Sequence, residues 1–119
     1  RGLVLPVPLG VSDLAPAFSA FANALPVLPS PRSITAPLTP GAPDPLPAAA
    51  INACFDAGVP LCLSGQALGL VSAPIAKSVL YAAGFGFPGH TEYLAALAAE
   101  HVPGPVTPVM LLAGPHLRV

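Results

Sequence analysis

Proline is the residue that most limits what this chain can fold into. It stands at positions 26, 29, 31, 37, 40, 43, 45 and 47, and each one fixes φ, removes an amide donor and biases its predecessor away from helix. Residues 25–47 are therefore expected to form an extended, proline-rich connection. With 18 prolines and 11 glycines in 119 residues, a polar chain would be disordered. Here 54% of the residues are hydrophobic, so the prolines punctuate apolar stretches that can bury area, and order is expected. Only 8% are charged, against a usual share of about a quarter. Polar side chains cannot cover a compact monomer of that composition, so some apolar surface is expected to meet another segment or subunit.

The same composition excludes several functions. The formal charge is -1, with Lys77 the single lysine beside Arg1, Arg32 and Arg118, so the basic footprint of a nucleic-acid binder is missing. Prolines and polar residues break every apolar run short of the ~18 residues a membrane span requires, and a soluble, cytoplasmic protein is expected. Cys54 and Cys62 form no CxxC and have no paired-histidine spacing; buried thiols in a reducing compartment are expected rather than a disulfide framework or a zinc ribbon. Arg1-Gly2 is not a translation start and no secretory signal follows. The chain is expected to begin mid-sequence or after processing.

Periodicity predicts alternating strands and helices. Residues 3–9 read as an edge strand or extended connection because Pro6 and Pro8 remove ladder donors. Ser12 or Asp13 is placed to cap a helix carrying Leu14, Phe18 and Phe21, through about Asn23. Asp44-Pro45 starts another helix with Ile51, Cys54 and Phe55 on its face, ending near Gly58 or continuing to Ser64 despite Pro60. Residues 68–73 fit a buried parallel strand. A helix with Ile75, Val79, Leu80 and Ala83 follows and stops at Gly84. His90 or Thr91 opens a helix bearing Leu94, Leu97 and Ala98, broken near Pro103-Gly104-Pro105, and residues 106–113 read as a last strand. The expected class is α/β, a mostly parallel sheet with flanking helices, in one domain over residues 1–119, with sites at the carboxyl ends of the strands.

The densest polar cluster is Gly89-His90-Thr91-Glu92. A helix start there presents unpaired amides with positive partial charge, Gly89 permits close approach, and His90 and Thr91 add donors, so a phosphate oxygen fits. The same residues also read as a plain helix start, with Thr91 capping and Glu92 complementing the dipole. Lys77 sits where strand meets helix, either charging a ligand site or standing solvated on the surface. His101 and His116 have no partner at metal-ligand spacing. The Walker lysine loop and the common hydrolase and zinc-protease motifs are absent from the sequence.

Residues 69–97 resemble the central part of the 4-hydroxythreonine-4-phosphate dehydrogenase (PdxA) family of vitamin B6 biosynthesis. Ser72-Ala73-Pro74 with Lys77 resembles the family's Thr-Gly-Pro turn and its lysine, and Gly89, His90, Thr91 and Glu92 match its Gly-His-Thr-Glu. The chain departs at Ala73, in place of the turn glycine, and at Gly86, where proline is common.

The resemblance implies an isocitrate/isopropylmalate dehydrogenase-like fold and an NAD- or NADP-linked oxidation of 4-phosphohydroxy-L-threonine followed by decarboxylation. It further implies a divalent metal, zinc, cobalt or magnesium, as Lewis acid. His90 and Thr91 match the substrate-binding pair, with Gly89, Lys77 and Glu92 as possible site-lining residues. The family's metal-binding histidines fall beyond Val119 and its amino-terminal glycine-rich segment before Arg1, so an internal, inactive fragment with no metal ligand of its own is expected. Family members are homodimers whose site draws on both subunits. Alternatives are a related phospho-threonate or phospho-erythronate dehydrogenase, a non-catalytic module presenting the proline-rich segment to an aromatic groove, and a relic that keeps the fold without catalysis.

Overall fold

The computed structural model describes residues 8–12, 14–35 and 37–119. The chain divides into two compact units, Arg1–Pro31 and Arg32–Val119. In the first, strands β1 (Pro8–Gly10) and β2 (Leu25–Val27) pair in parallel with Leu9 opposite Pro26. Val11 N extends the ladder by donating to Val27 O at 3.0 Å. A parallel pair needs a crossover of a dozen or more residues, and the intervening segment with helix α1 (Ala17–Ala20) supplies it. Strands of three residues are what prolines in both partners leave possible. The expected strand over residues 3–9 lies mostly outside the described residues, but its end is β1.

Two expectations for this unit need correction. The helix does not start at Ser12, and Asp13 lies outside the described residues; its N-cap is Pro16. Pro16 disfavours helix at the residue before it, so only one turn forms. The stripe foreseen on it stays uncovered, with Phe18 79% and Phe21 62% exposed. The segment 25–47 is likewise not extended connection throughout, because its first three residues are β2.

In the second unit helix α2 (Ala48–Leu63) runs through Pro60 to a Ser64 C-cap, as the longer alternative predicted. Its start lies later than Asp44-Pro45. Asp44 Oδ1 instead accepts from Leu46 N at 2.8 Å, a local turn, and Pro47 is the N-cap. Phe55 and Val59, one turn apart, are buried. Helix α3 (Lys77–Ala82) buries Leu80 almost completely, at 1% exposure. It closes with Gly84 at φ +86: Gly84 N donates to Tyr81 O (3.0 Å) and Phe85 N to Leu80 O (2.9 Å), the paired bonds of a Schellman ending. Helix α4 (His90–Ala99) packs on α2.

The expected strands over residues 68–73 and 106–113 do not form. A strand exists only beside another; among the described residues no neighbour lies alongside 68–73, and 106–113 meets one only at its last two positions. Leu68 and Val71 are fully exposed and Val109 is 85% exposed. The chain's last residues turn back instead, with Val119 N donating to Leu112 O at 2.8 Å around an antiparallel bridge of Ala113 and Arg118. The class is thus α/β with a small parallel sheet, and apolar surface remains uncovered as composition required. Among the described residues no helix is long and apolar enough to cross a membrane.

The Schellman glycine makes a stability prediction. Gly84→Ala forces a side chain into the left-handed region and is expected to cost about 1 kcal/mol, read as a lower urea midpoint; an unchanged midpoint would contradict the ending described.

Candidate functional site

The turn between α3 and α4 is fixed by aromatic rings. Tyr93, on the first turn of α4, lies 5.1 Å from both Phe85 and Phe87 and 6.0 Å from Phe55 of α2 between ring centroids. These edge and tilted contacts are the favoured geometries for ring pairs. Tyr81 Oη donates to Pro88 O at 2.7 Å, tying the end of the turn back to α3. Residues 85–88 are thereby held from both sides, and the chain is delivered at Gly89 into α4.

Gly89 is the N-cap, with φ -173 and ψ -174, and no side chain caps the helix. The reading of Thr91 as cap is therefore corrected. Amides of the first turn have no intrahelical acceptor, and Glu92 stands in that turn. A Cβ built on Gly89 would meet Glu92 Oε2 at 3.3 Å and Lys77 Nζ at 3.7 Å. The structure thus brings Lys77, Gly89 and Glu92 together, with the lysine and glutamate exposed and the glycine half-buried.

His90 packs against α2. Its half-buried ring lies 4.9 Å from that of Phe55, and its Nε2 is buried without a hydrogen-bond partner. Thr91 is half-buried beside it in sequence. A cavity of about 410 Å³ runs between Ile51, Cys54 and Phe55 of α2 and the segment 70–75. Leu70 closes against the helix where Gly58 has no side chain: a Cβ on Gly58 would clash with Leu70 Cδ1 at 2.7 Å. The Ser72-Ala73-Pro74 turn lies on this groove and not at the end of a strand.

Asp56 and Tyr93 were not singled out from sequence. The Tyr93 hydroxyl donates to Asp56 Oδ1 at 2.5 Å across 37 positions. Burial of the phenol, then the Asp56 hydrogen bond and the charges of Asp56 and Glu100, push its pKa well above the ordinary value of 10. Cys54 is exposed and Cys62 half-buried, both as thiols, so the buried-thiol expectation fails for Cys54, which sits on the groove. His101 and His116 are exposed. Among the described residues no group of three or more His, Cys, Asp or Glu side chains could hold a metal ion.

Comparison with known proteins matches residues 9–119 to the family of the pyridoxal phosphate biosynthetic protein PdxA. A 4-hydroxythreonine-4-phosphate dehydrogenase of Maricaulis maris is 55% identical over 98 residues, 82% of this chain and 29% of that protein. Proteins of the same name from Methylorubrum populi and Xanthobacter autotrophicus are 49% and 45% identical over 92% and 100% of the chain, and 32% and 33% of their own lengths. The chain thus spans about a third of the length of the relatives it matches. No solved structure matches it.

The Tyr93 phenol gives a pH prediction. With its pKa raised in the folded state, the stability it contributes is complete below the unfolded value of about 10 and is lost above it. There the unfolded chain ionises while the folded one does not, at up to ~1.4 kcal/mol per pH unit. Tyr93→Phe should cost about 1 kcal/mol near neutral pH through the missing hydrogen bond and should remove this alkaline loss. Urea unfolding of both proteins at neutral and at strongly alkaline pH is expected to show their difference shrinking; a constant difference contradicts the assignment.

Proposed function

The chain belongs to the PdxA family of pyridoxal phosphate biosynthetic proteins, and from that premise we propose that it supplies one wall of the substrate site of a 4-hydroxythreonine-4-phosphate dehydrogenase. The observation that carries the reading is the start of α4: an N-cap glycine without a side-chain cap, in extended backbone, followed by His90 and Thr91. Such a helix start attracts an oxyanion through its free amides and the helix dipole. Gly89 leaves room for close approach, and His90 and Thr91 are the residues that match the family's substrate-binding pair.

The reaction removes a hydride from a carbinol carbon of 4-phosphohydroxy-L-threonine to NAD or NADP and a proton from its hydroxyl, after which the keto acid loses carbon dioxide. This chain's part is to bind and orient. Holding the reacting carbon at a fixed distance from its acceptor accounts for much of such catalysis. A divalent metal, whether zinc, cobalt or magnesium, would polarise the substrate oxygens. The described residues offer no set of ligands that fits one, and no step is assigned to this chain through it. No described residue is assigned to the dinucleotide either. An isocitrate/isopropylmalate dehydrogenase-like fold, a homodimer and a cytoplasmic setting complete the proposal. Support for the dimer is the uncovered apolar surface at Phe18, Leu68, Val71 and Val109.

The test is NADH or NADPH formation by the complete protein with 4-phosphohydroxy-L-threonine, against 4-phospho-erythronate and phospho-threonate as competing substrates. His90→Ala and Thr91→Ala should each raise KM roughly tenfold or more, the effect of losing a hydrogen bond to a charged group. Gly89→Ala should raise KM too while lowering stability by no more than about 1 kcal/mol, since its φ suits any residue and only N-cap preference is lost. Unchanged KM in all three variants would sink the reading.

A further inference from the structure

Ala48, Asn52, Phe55 and Val59 follow one another at i, i+4, i+7 and i+11 along α2. The other three are buried apolar residues, so Asn52 interrupts an apolar stripe with a carboxamide. Among the described residues, Asn52 Oδ1 and His90 Nε2 are the buried side-chain polar atoms left without a hydrogen-bond partner. They lie at the same helix contact. The His90 ring packs 4.9 Å from that of Phe55, and side chains three apart on a helix are neighbours, which sets the Asn52 carboxamide beside that ring pair. The two atoms are also complementary: a carboxamide oxygen only accepts, and an imidazole nitrogen that carries its proton donates. Each bears the full desolvation penalty of a buried polar group while it stays unpaired. They do not bond to each other here, but hydrogen bonds of a site often close only when the substrate is in place.

We propose that Asn52 is the positioning residue of His90, its Oδ1 accepting a hydrogen bond from Nε2–H in the substrate complex and so leaving Nδ1 as the ring nitrogen that meets the substrate. The proposal rests on the reading of His90 as a substrate-binding residue. Because Oδ1 can only accept, the bond keeps the proton on Nε2 and fixes the tautomer. Nδ1 of the neutral ring then carries a lone pair, so what it meets on the substrate is a hydrogen-bond donor and not an oxyanion. The free amides of α4 and Thr91 remain for the oxyanion. Phe55 and Asn52 divide the support of the ring: Phe55 sets where it lies, and Asn52 sets which nitrogen is used on which side. Closing the bond pairs both orphaned atoms at once, which favours the ring orientation that the substrate requires.

The experiment joins steady-state kinetics of the complete protein to nitrogen NMR of its histidine rings, with the His90→Ala spectrum assigning the His90 signals. With 4-phosphohydroxy-L-threonine bound and no dinucleotide, His90 should be a single tautomer protonated at Nε2, and in Asn52→Leu that preference should be lost. A ring protonated at Nδ1 in the parent complex overturns the proposal without recourse to any variant. Asn52→Leu should raise KM roughly three- to tenfold with a smaller change in kcat, the effect of one lost hydrogen bond. Asn52→Asp keeps an acceptor oxygen at the same reach and should recover most of it. In a His90→Ala background Asn52→Leu should have no further effect, because a positioning residue acts only through its partner. Additive effects overturn the positioning role. Inorganic phosphate as competitive inhibitor should keep its inhibition constant in His90→Ala; a raised constant puts His90 on the oxyanion and overturns the assignment of Nδ1. A normal KM in Asn52→Leu while His90→Ala raises it overturns this proposal and leaves the substrate wall standing. If His90→Ala is itself without effect on KM, the reading of His90 as substrate-binding fails.

Discussion

Everything placed near the start of α4 depends on Tyr93. Its ring fills the space between Phe85, Phe87 and Phe55, and its hydroxyl reaches Asp56. One residue therefore holds three segments: the turn before α4, α4 itself and the middle of α2. The hydrogen bond is worth about 1 kcal/mol and each ring pair roughly 0.5–1.5 kcal/mol beyond area burial. That is enough to hold a short turn that has three glycines, Gly84, Gly86 and Gly89, to restrain. Without it, the turn into Gly89 would be tied to α3 chiefly by the Tyr81 to Pro88 hydrogen bond.

What was readable in the sequence follows the range of the interaction. The ends of α3 and α4 were found because their causes are local: Gly84 has the positive φ that glycine adopts freely, and proline and glycine stop α4. The passage of α2 through Pro60 was readable as an alternative, since one missing amide removes one hydrogen bond from a helix long enough to keep the rest. The two absent strands mark the limit. Residues 68–73 and 106–113 have strand composition, but a ladder is a property of two segments: the first has no neighbour among the described residues, and the second meets one only at Leu112 and Ala113. The β2 strand was missed for the opposite reason. Its proline argued against pairing, yet a three-residue edge tolerates a missing donor.

The site divides in the same way. Gly89, His90, Thr91 and Glu92 are contiguous, and their placement at a helix start was read from pattern. The approach of Lys77 to the gap over Gly89, the tilted ring contact of His90 with Phe55 and the Tyr93 to Asp56 bond join positions 12 to 37 residues apart. Only the packing of α2, α3 and α4 creates them, and Asp56 in particular carries no motif that would single it out.

The capping of α4 ties stability to function. Serine, threonine or aspartate at position 89 would satisfy one of the free amides, and such caps are worth about 1 kcal/mol over alanine and a few tenths over glycine. Glycine forgoes that gain, and the helix start stays in place because Tyr93 anchors it from the side. Rigidity is thus supplied one turn away from the amides and not by a group bonded to them. A helix start held in this manner keeps its donors available without having to move when an anion arrives, so little of the binding free energy is spent on ordering. On the proposed reading of the α4 start as a substrate wall, loosening the Tyr93 anchor should therefore weaken anion binding even though no atom of Tyr93 needs to touch the ligand.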